Sequence, residues 1–131
     1  HCSAKQCYLC GEHPAILVQI LKKHKIKHSS LLDYVKNRQM YRDTIHKCWK
    51  LDRYSDIHSP ELLKDMPKYL MIWLMYNGSI EGWERQYKLK SPRKIPNILT
   101  NFINELKNIC KVFERKVIKL IDFDYAKFKV S

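Results

Sequence analysis

Glycine occurs three times and proline five times in 131 residues. So few turn-formers argue against many short strands joined by tight turns. No apolar stretch approaches the roughly 20 residues that a membrane span needs; the longest runs, 15–21 and 69–76, hold seven and eight residues. A glycine loop that cradles phosphates, a carboxylate pair with an evident partner and a nucleophile motif are all missing, so the reading is a non-enzyme. His46 and His58 stand isolated. His46 borders an apolar helical stripe and reads as a boundary residue rather than a general base. Acid is also scarce: 13 Asp and Glu face 25 Lys and Arg, leaving a formal charge of +12. A surplus that large repels itself in a compact chain and points to a polyanionic partner. Nucleic acid, an anionic membrane surface and an acidic glycoprotein or polysaccharide all qualify.

What is present reads as helix. Pro14 can open the first element, and the nearly unbroken apolar run to Leu21 that follows it is compatible with a strand as well as a helix. Ser30 with Asp33 resembles a cap and first-turn acid, after which Leu31, Leu32, Val35, Tyr41, Ile45, Cys48 and Trp49 recur at helical spacing to about Arg53. Ser59-Pro60-Glu61 starts another helix. Pro67 is expected to break or kink it, with a second segment running from Lys68 to a stop at Asn77-Gly78. Ser79 caps a short piece through Tyr87. The last helix shows one wide apolar face: Ile95, Ile98, Leu99, Phe102, Ile103, Leu106, Ile109, Cys110, Phe113, Val117, Leu120 and Ile121. The expected fold is all-α, one domain over residues 1–131. It is a bundle of four to five helices around a single core, preceded by an irregular Cys/His-rich segment within residues 1–28.

That segment carries Cys2, Cys7, Cys10, His13, His24 and His28. Thiolates and imidazoles hold Zn²⁺ tetrahedrally, and Cys7, Cys10, His24 and His28 read C-x2-C-x13-H-x3-H. This is one residue longer in the middle than the usual finger, with Leu21 at the position of a finger's core leucine. His24 and His28 would share one helix face. The finger requires residues 14–18 to double back first. If a helix begins at Pro14, His24 lies about 15 Å along it from the cysteines. A compact site from Cys2, Cys7, Cys10 and His13 is the alternate, and disulfides to Cys48 or Cys110 are the metal-free alternative. Five cysteines, an odd number, lean towards a reducing compartment. Cys48 and Cys110 fall on apolar faces and read as buried thiols.

The charge is concentrated. Lys107, Lys111, Arg115 and Lys119 recur every four residues opposite the apolar face of the last helix. Like charges at that spacing weaken a helix by about 0.2–0.5 kcal/mol per pair, a load that phosphates or sulfates would relieve. Arg85, Lys88, Lys90, Arg93 and Lys94 precede them without an acid among residues 85–94, and residues 85–119 hold a net +8. Within Lys90-Ser91-Pro92-Arg93-Lys94 the Ser-Pro turn would present cations together to a narrow minor groove. Phosphorylation of Ser91 would oppose phosphate binding there. The plainer reading is an exposed inter-helix loop. Trp83 and Tyr87 have the spacing to stack bases, but core anchoring is the favoured reading for them.

Two function classes follow. The first is a nucleic-acid-binding module, nuclear or viral, contacting DNA or RNA, with zinc at its N-terminus. The second is a secreted cationic bundle with disulfides in place of zinc. It would bind an extracellular glycoprotein, a receptor or an anionic membrane surface. A chain beginning at His1, directly before its first cysteine, is compatible with a processed secreted protein, although no signal peptide is visible. Asn77-Gly78-Ser79 would then be a glycosylation acceptor. In size, charge and helicity alone the chain resembles the gastropod sperm lysins or a short helical cytokine.

Overall fold

The computed structural model describes the backbone of residues 13–130 and the side chains of residues 13–115. Six α-helices follow one another: α1 (Pro14–Lys23), α2 (Ser29–Lys36), α3 (Arg38–Trp49), α4 (Pro60–Met75), α5 (Ile80–Tyr87) and α6 (Asn97–Val130), with a 3₁₀ turn at Leu51–Tyr54. The described residues contain no strand. The all-α expectation holds, but the helix number is six rather than four to five.

The extra helix comes from Asn37. The apolar spacing across residues 30–53 predicts one element; instead the backbone leaves the helical region at Asn37 (φ −127°, ψ 42°). Its side-chain amide donates to Asp33 Oδ1 at 2.8 Å, which supports the non-helical turn locally. The elbow points Tyr34 and Tyr41 at one another and at Phe102 of α6, edge to face with centroids 5.3–6.4 Å apart. Tyr41 donates its hydroxyl to Asp33 Oδ2 at 2.9 Å. Burial, then that carboxylate, pushes the phenol well above its ordinary pKa.

The opposite departure occurs at Pro67. It lies inside α4 and is buried, and the helix runs on through it. Proline offers no N–H to the carbonyl four residues back. The inward face of α4 nevertheless keeps helical register on both sides, with Leu63, Met66, Leu70, Met71 and Leu74 buried in the common core. Packing of that stripe outweighs the missing hydrogen bond. The expected starts at Ser59 and Ser79 are found: each hydroxyl accepts from a backbone N–H three residues on, at 3.2 and 3.1 Å.

One buried cluster unites the helices. Leu17, Val18 and Leu21 come from α1, Ile45 and Trp49 from α3, Trp83 from α5, and Leu99, Phe102, Leu106, Ile109 and Phe113 from α6. Helix α2 lies against α1, α3 and α6, while α4 lies against α3 and α5.

Scarce glycine shapes the helix ends. Positive φ occurs at Lys25, Lys50, Asn77 and Lys88, and at no described glycine. At Lys25, Asn77 and Lys88 the paired backward bonds of a Schellman closure form, for example Gly78 N–H to Trp73 O at 2.8 Å and Asn77 N–H to Leu74 O at 3.0 Å.

The start of α2 is closed from a distance. Ser30 is the expected cap; instead His28 precedes the helix and makes no side-chain cap. Glu105 of α6 takes over: its carboxylate accepts from Ser30 N–H at 3.1 Å, Leu31 N–H at 2.7 Å and the Ser29 hydroxyl at 3.3 Å. Those backbone donors are the ones a cap residue normally satisfies, and the helix N-terminus adds an attraction for the negative charge. Glu105→Ala should therefore cost about 1–2 kcal/mol, in the upper range for removal of a cap. Glu105→Gln, which keeps one acceptor oxygen, should lose less. Urea unfolding midpoints of the two variants check this.

Candidate polyanion interface

Helix α5, the loop that follows it and the first half of α6 place the predicted cations. Arg85 is exposed on α5, Lys88 is exposed at its closure, Lys90, Arg93 and Lys94 are exposed in the loop, and Lys107, Lys111 and Arg115 are exposed on α6. Lys119 continues the α6 register, with its side chain beyond the described residues. Among the described residues no lysine or arginine lies within 4.0 Å of a carboxylate; the contact of that kind joins His46 Nε2 to Asp52 Oδ1 at 3.4 Å. Lys107 and Arg115 stand eight residues apart, about 12 Å along the helix axis. A row of exposed cations without acidic partners keeps its field available to an external anion.

The basic loop is tied down although it is exposed. The Lys90 N–H donates to the Tyr54 hydroxyl at 2.9 Å, and the Ser91 hydroxyl donates to Glu84 Oε1 at 2.8 Å. The Cys48 thiol donates to the Lys94 carbonyl at 3.5 Å. Glu84 is the buried charged residue of the described chain, at 5 % exposure. Its other oxygen accepts from Trp49 Nε1 at 2.7 Å. These ties hold the loop's backbone at both ends while its cationic heads stay in solvent. Burial pushes the Cys48 thiol up from its ordinary pKa, so this cysteine reads as structural rather than nucleophilic.

The metal expectation divides. Cys2, Cys7 and Cys10 lie outside the described residues. Residues 14–23 form one continuous helix, without the doubling back that a finger needs. Nor do His24 and His28 share a helix face: His24 closes α1, Lys25 turns the chain with φ 55°, and His28 precedes α2. The chain thus leaves α1 more than a turn before the His-x3-His reading allows. The His24 ring instead meets Phe113 edge to face at 5.8 Å. His28 Nδ1 lies 2.7 Å from the Ile26 carbonyl. A carbonyl can only accept, so the proton of a neutral ring is on Nδ1 and leaves the lone pair on Nε2, the tautomer suited to a metal. His13 is the reverse. Its Nδ1 accepts from Ala15 N–H at 3.2 Å, which leaves the proton of a neutral ring on Nε2. Ligation by His13 through either nitrogen would require release of the α1 cap, and through Nε2 a change of tautomer as well. No group of three or more metal-ligating side chains converges among the described residues.

Trp83 proves to be core, at 1 % exposure, edge to face with Trp49 at 5.2 Å. Tyr87 packs beside it at 6.3 Å. Among the described residues the exposed large aromatics are elsewhere, on the outer face of α4 and at its end: Tyr69, Trp73 and Tyr76. The signal that marks them is the unbroken apolar run 69–76, since a helix apolar all round must show one face to solvent unless it is central. Among the described residues no helix is long and apolar enough to cross a membrane.

The chain matches no protein-family model, no curated protein and no solved structure.

Proposed function

We propose that this protein is a cationic helical module that binds nucleic acid through its phosphate backbone. One observation carries the reading: the cations from Arg85 to Arg115 are exposed, have no carboxylate partner among the described residues and are gathered on one continuous stretch of chain. Lysines and arginines on helix and loop surfaces contact phosphates and set position, while sequence is read by other groups. Binding should therefore be strong at low salt, weakly dependent on sequence, and linear in log affinity against log salt.

Replacing Lys111 and Arg115 with Gln tests this. Both lie on the exposed side of α6, so folding should survive. Affinity should fall uniformly across DNA sequences, and the salt slope should shrink by about 0.9 for each duplex phosphate that is no longer neutralised. Equal binding by a folded double variant at low salt would overturn the assignment and move an extracellular glycoprotein or membrane surface ahead.

A further inference from the structure

Helix α4 buries one face and exposes another that is also apolar. Tyr69, Ile72, Trp73 and Tyr76 are 38–55 % exposed. Their spacing of three and four residues aligns them on one stripe. They are four of the seven large hydrophobic side chains exposed in the described chain.

Trp73 is held in place as well as exposed. Its indole lies on the backbone of Gly78 and Gly82, so closely that a Cβ at Gly78 would overlap Nε1, and one at Gly82 would stand 3.1 Å from Cζ2. Two of the three glycines in the chain thus serve to seat one exposed ring. A rigid aromatic surface loses little freedom on binding, which favours an anchoring role. The corner that seats it also meets the basic helix. Asn77, Gly78 and Ser79 line a cleft together with Leu106, Lys107 and Cys110 of α6. Lys107 therefore shares a cleft with Gly78, the residue on which the Trp73 ring rests, and Glu81 is an acid at the same corner.

The geometry points to a single strand. From Tyr69 to Trp73 the helix rises about 6 Å, and from Trp73 to Tyr76 about 4.5 Å. Both steps exceed the roughly 3.4 Å per nucleotide of a duplex strand, so the stripe suits unstacked bases. We propose that Tyr69, Trp73 and Tyr76 stack bases of a single-stranded nucleic acid whose phosphates run onto Lys107 and Lys111. The cationic half of this rests on the function proposed above; the aromatic half does not.

Tryptophan emission gives the test. Trp49 and Trp83 are buried at 0 and 1 % exposure, whereas Trp73 is 42 % exposed and reports on this face. A short oligothymidylate should quench that emission, while heparin, a polyanion without bases, should bind without quenching. Read by the anisotropy of an end-labelled oligothymidylate, because the variant lacks the reporting indole, Trp73→Ala should weaken binding by about 5- to 150-fold and leave heparin affinity unchanged. Trp73→Phe should restore part of the loss, and circular dichroism should show both variants folded. Wild-type oligothymidylate affinity in folded Trp73→Ala would overturn the aromatic site while leaving the cationic reading standing. A blue shift on phosphatidylserine–phosphatidylcholine vesicles, with no response to oligothymidylate, would overturn it in favour of a bilayer. Quenching with no heparin binding would retain the stacking face and remove the cationic one. Failure of both polyanions to bind at low salt would sink the two together.

Discussion

Trp83→Ala should lose about 3–5 kcal/mol of stability, the usual range for removing a buried large aromatic. The side chain is 1 % exposed and lies edge to face with Trp49 and Tyr87. Its indole N–H donates to the Met66 carbonyl at 3.2 Å, which joins α5 to α4. Truncation removes the volume, the ring packing and the hydrogen bond together. The loss is a large share of the roughly 5–15 kcal/mol that holds a domain folded. Trp83→Phe keeps most of the volume and should retain most of the stability. Urea unfolding followed by circular dichroism ranks wild type, Phe and Ala in that order. A midpoint for the Ala variant within error of wild type would contradict a core assignment for α5.

Glu84→Leu should cost about 3 kcal/mol, because it leaves two donors without acceptors. Trp49 Nε1 is the more expensive to strand, since its bond to Oε2 is buried, at 2.7 Å. The Ser91 hydroxyl, at 2.8 Å from Oε1, can turn towards water once released. Glu84→Gln should cost much less. One amide oxygen still serves Trp49, and the amide N–H₂ can donate to a rotated Ser91 hydroxyl. The two substitutions separate hydrogen bonding from volume. The Leu variant should also show faster amide exchange at Lys90 and Ser91, where the basic loop loses its tie. Unchanged exchange there would mean that the ties to Tyr54 and Cys48 suffice to fix the loop.

Local chemistry is the legible part of the sequence. Ser59, Ser79 and the Asn77-Gly78 stop are readable because a cap and a closure are decided within a few residues. Asn37 is not, because apolar positions recur at helical spacing across it and a single asparagine is a weak breaker. What decides the elbow is the aromatic packing against Phe102 on α6, a long-range effect. Glu105 is hidden for the same reason. In the sequence it is an acid diluting a basic stripe; in the fold it closes a helix begun more than seventy positions earlier. Within the candidate interface, the exposure of Lys107, Lys111 and Arg115 follows from the apolar period of α6. The aromatic face does not, since apolar residues at helical spacing are usually core and only the packing of α4 shows which side is left over.

The left-handed lysines at the helix ends bring ionic strength into the stability of the bundle itself. Lys25, Lys50 and Lys88 occupy a backbone region in which glycine is at ease and a lysine is disfavoured by about 1 kcal/mol. Each also stands at a helix C-terminus, where the aligned peptide dipoles leave partial negative charge and a cation recovers about 0.3–1 kcal/mol. The two nearly cancel in dilute buffer. Added salt screens the dipole attraction and leaves the backbone strain untouched. Three helix ends should therefore loosen as salt rises, over the same range in which the proposed phosphate contacts would weaken.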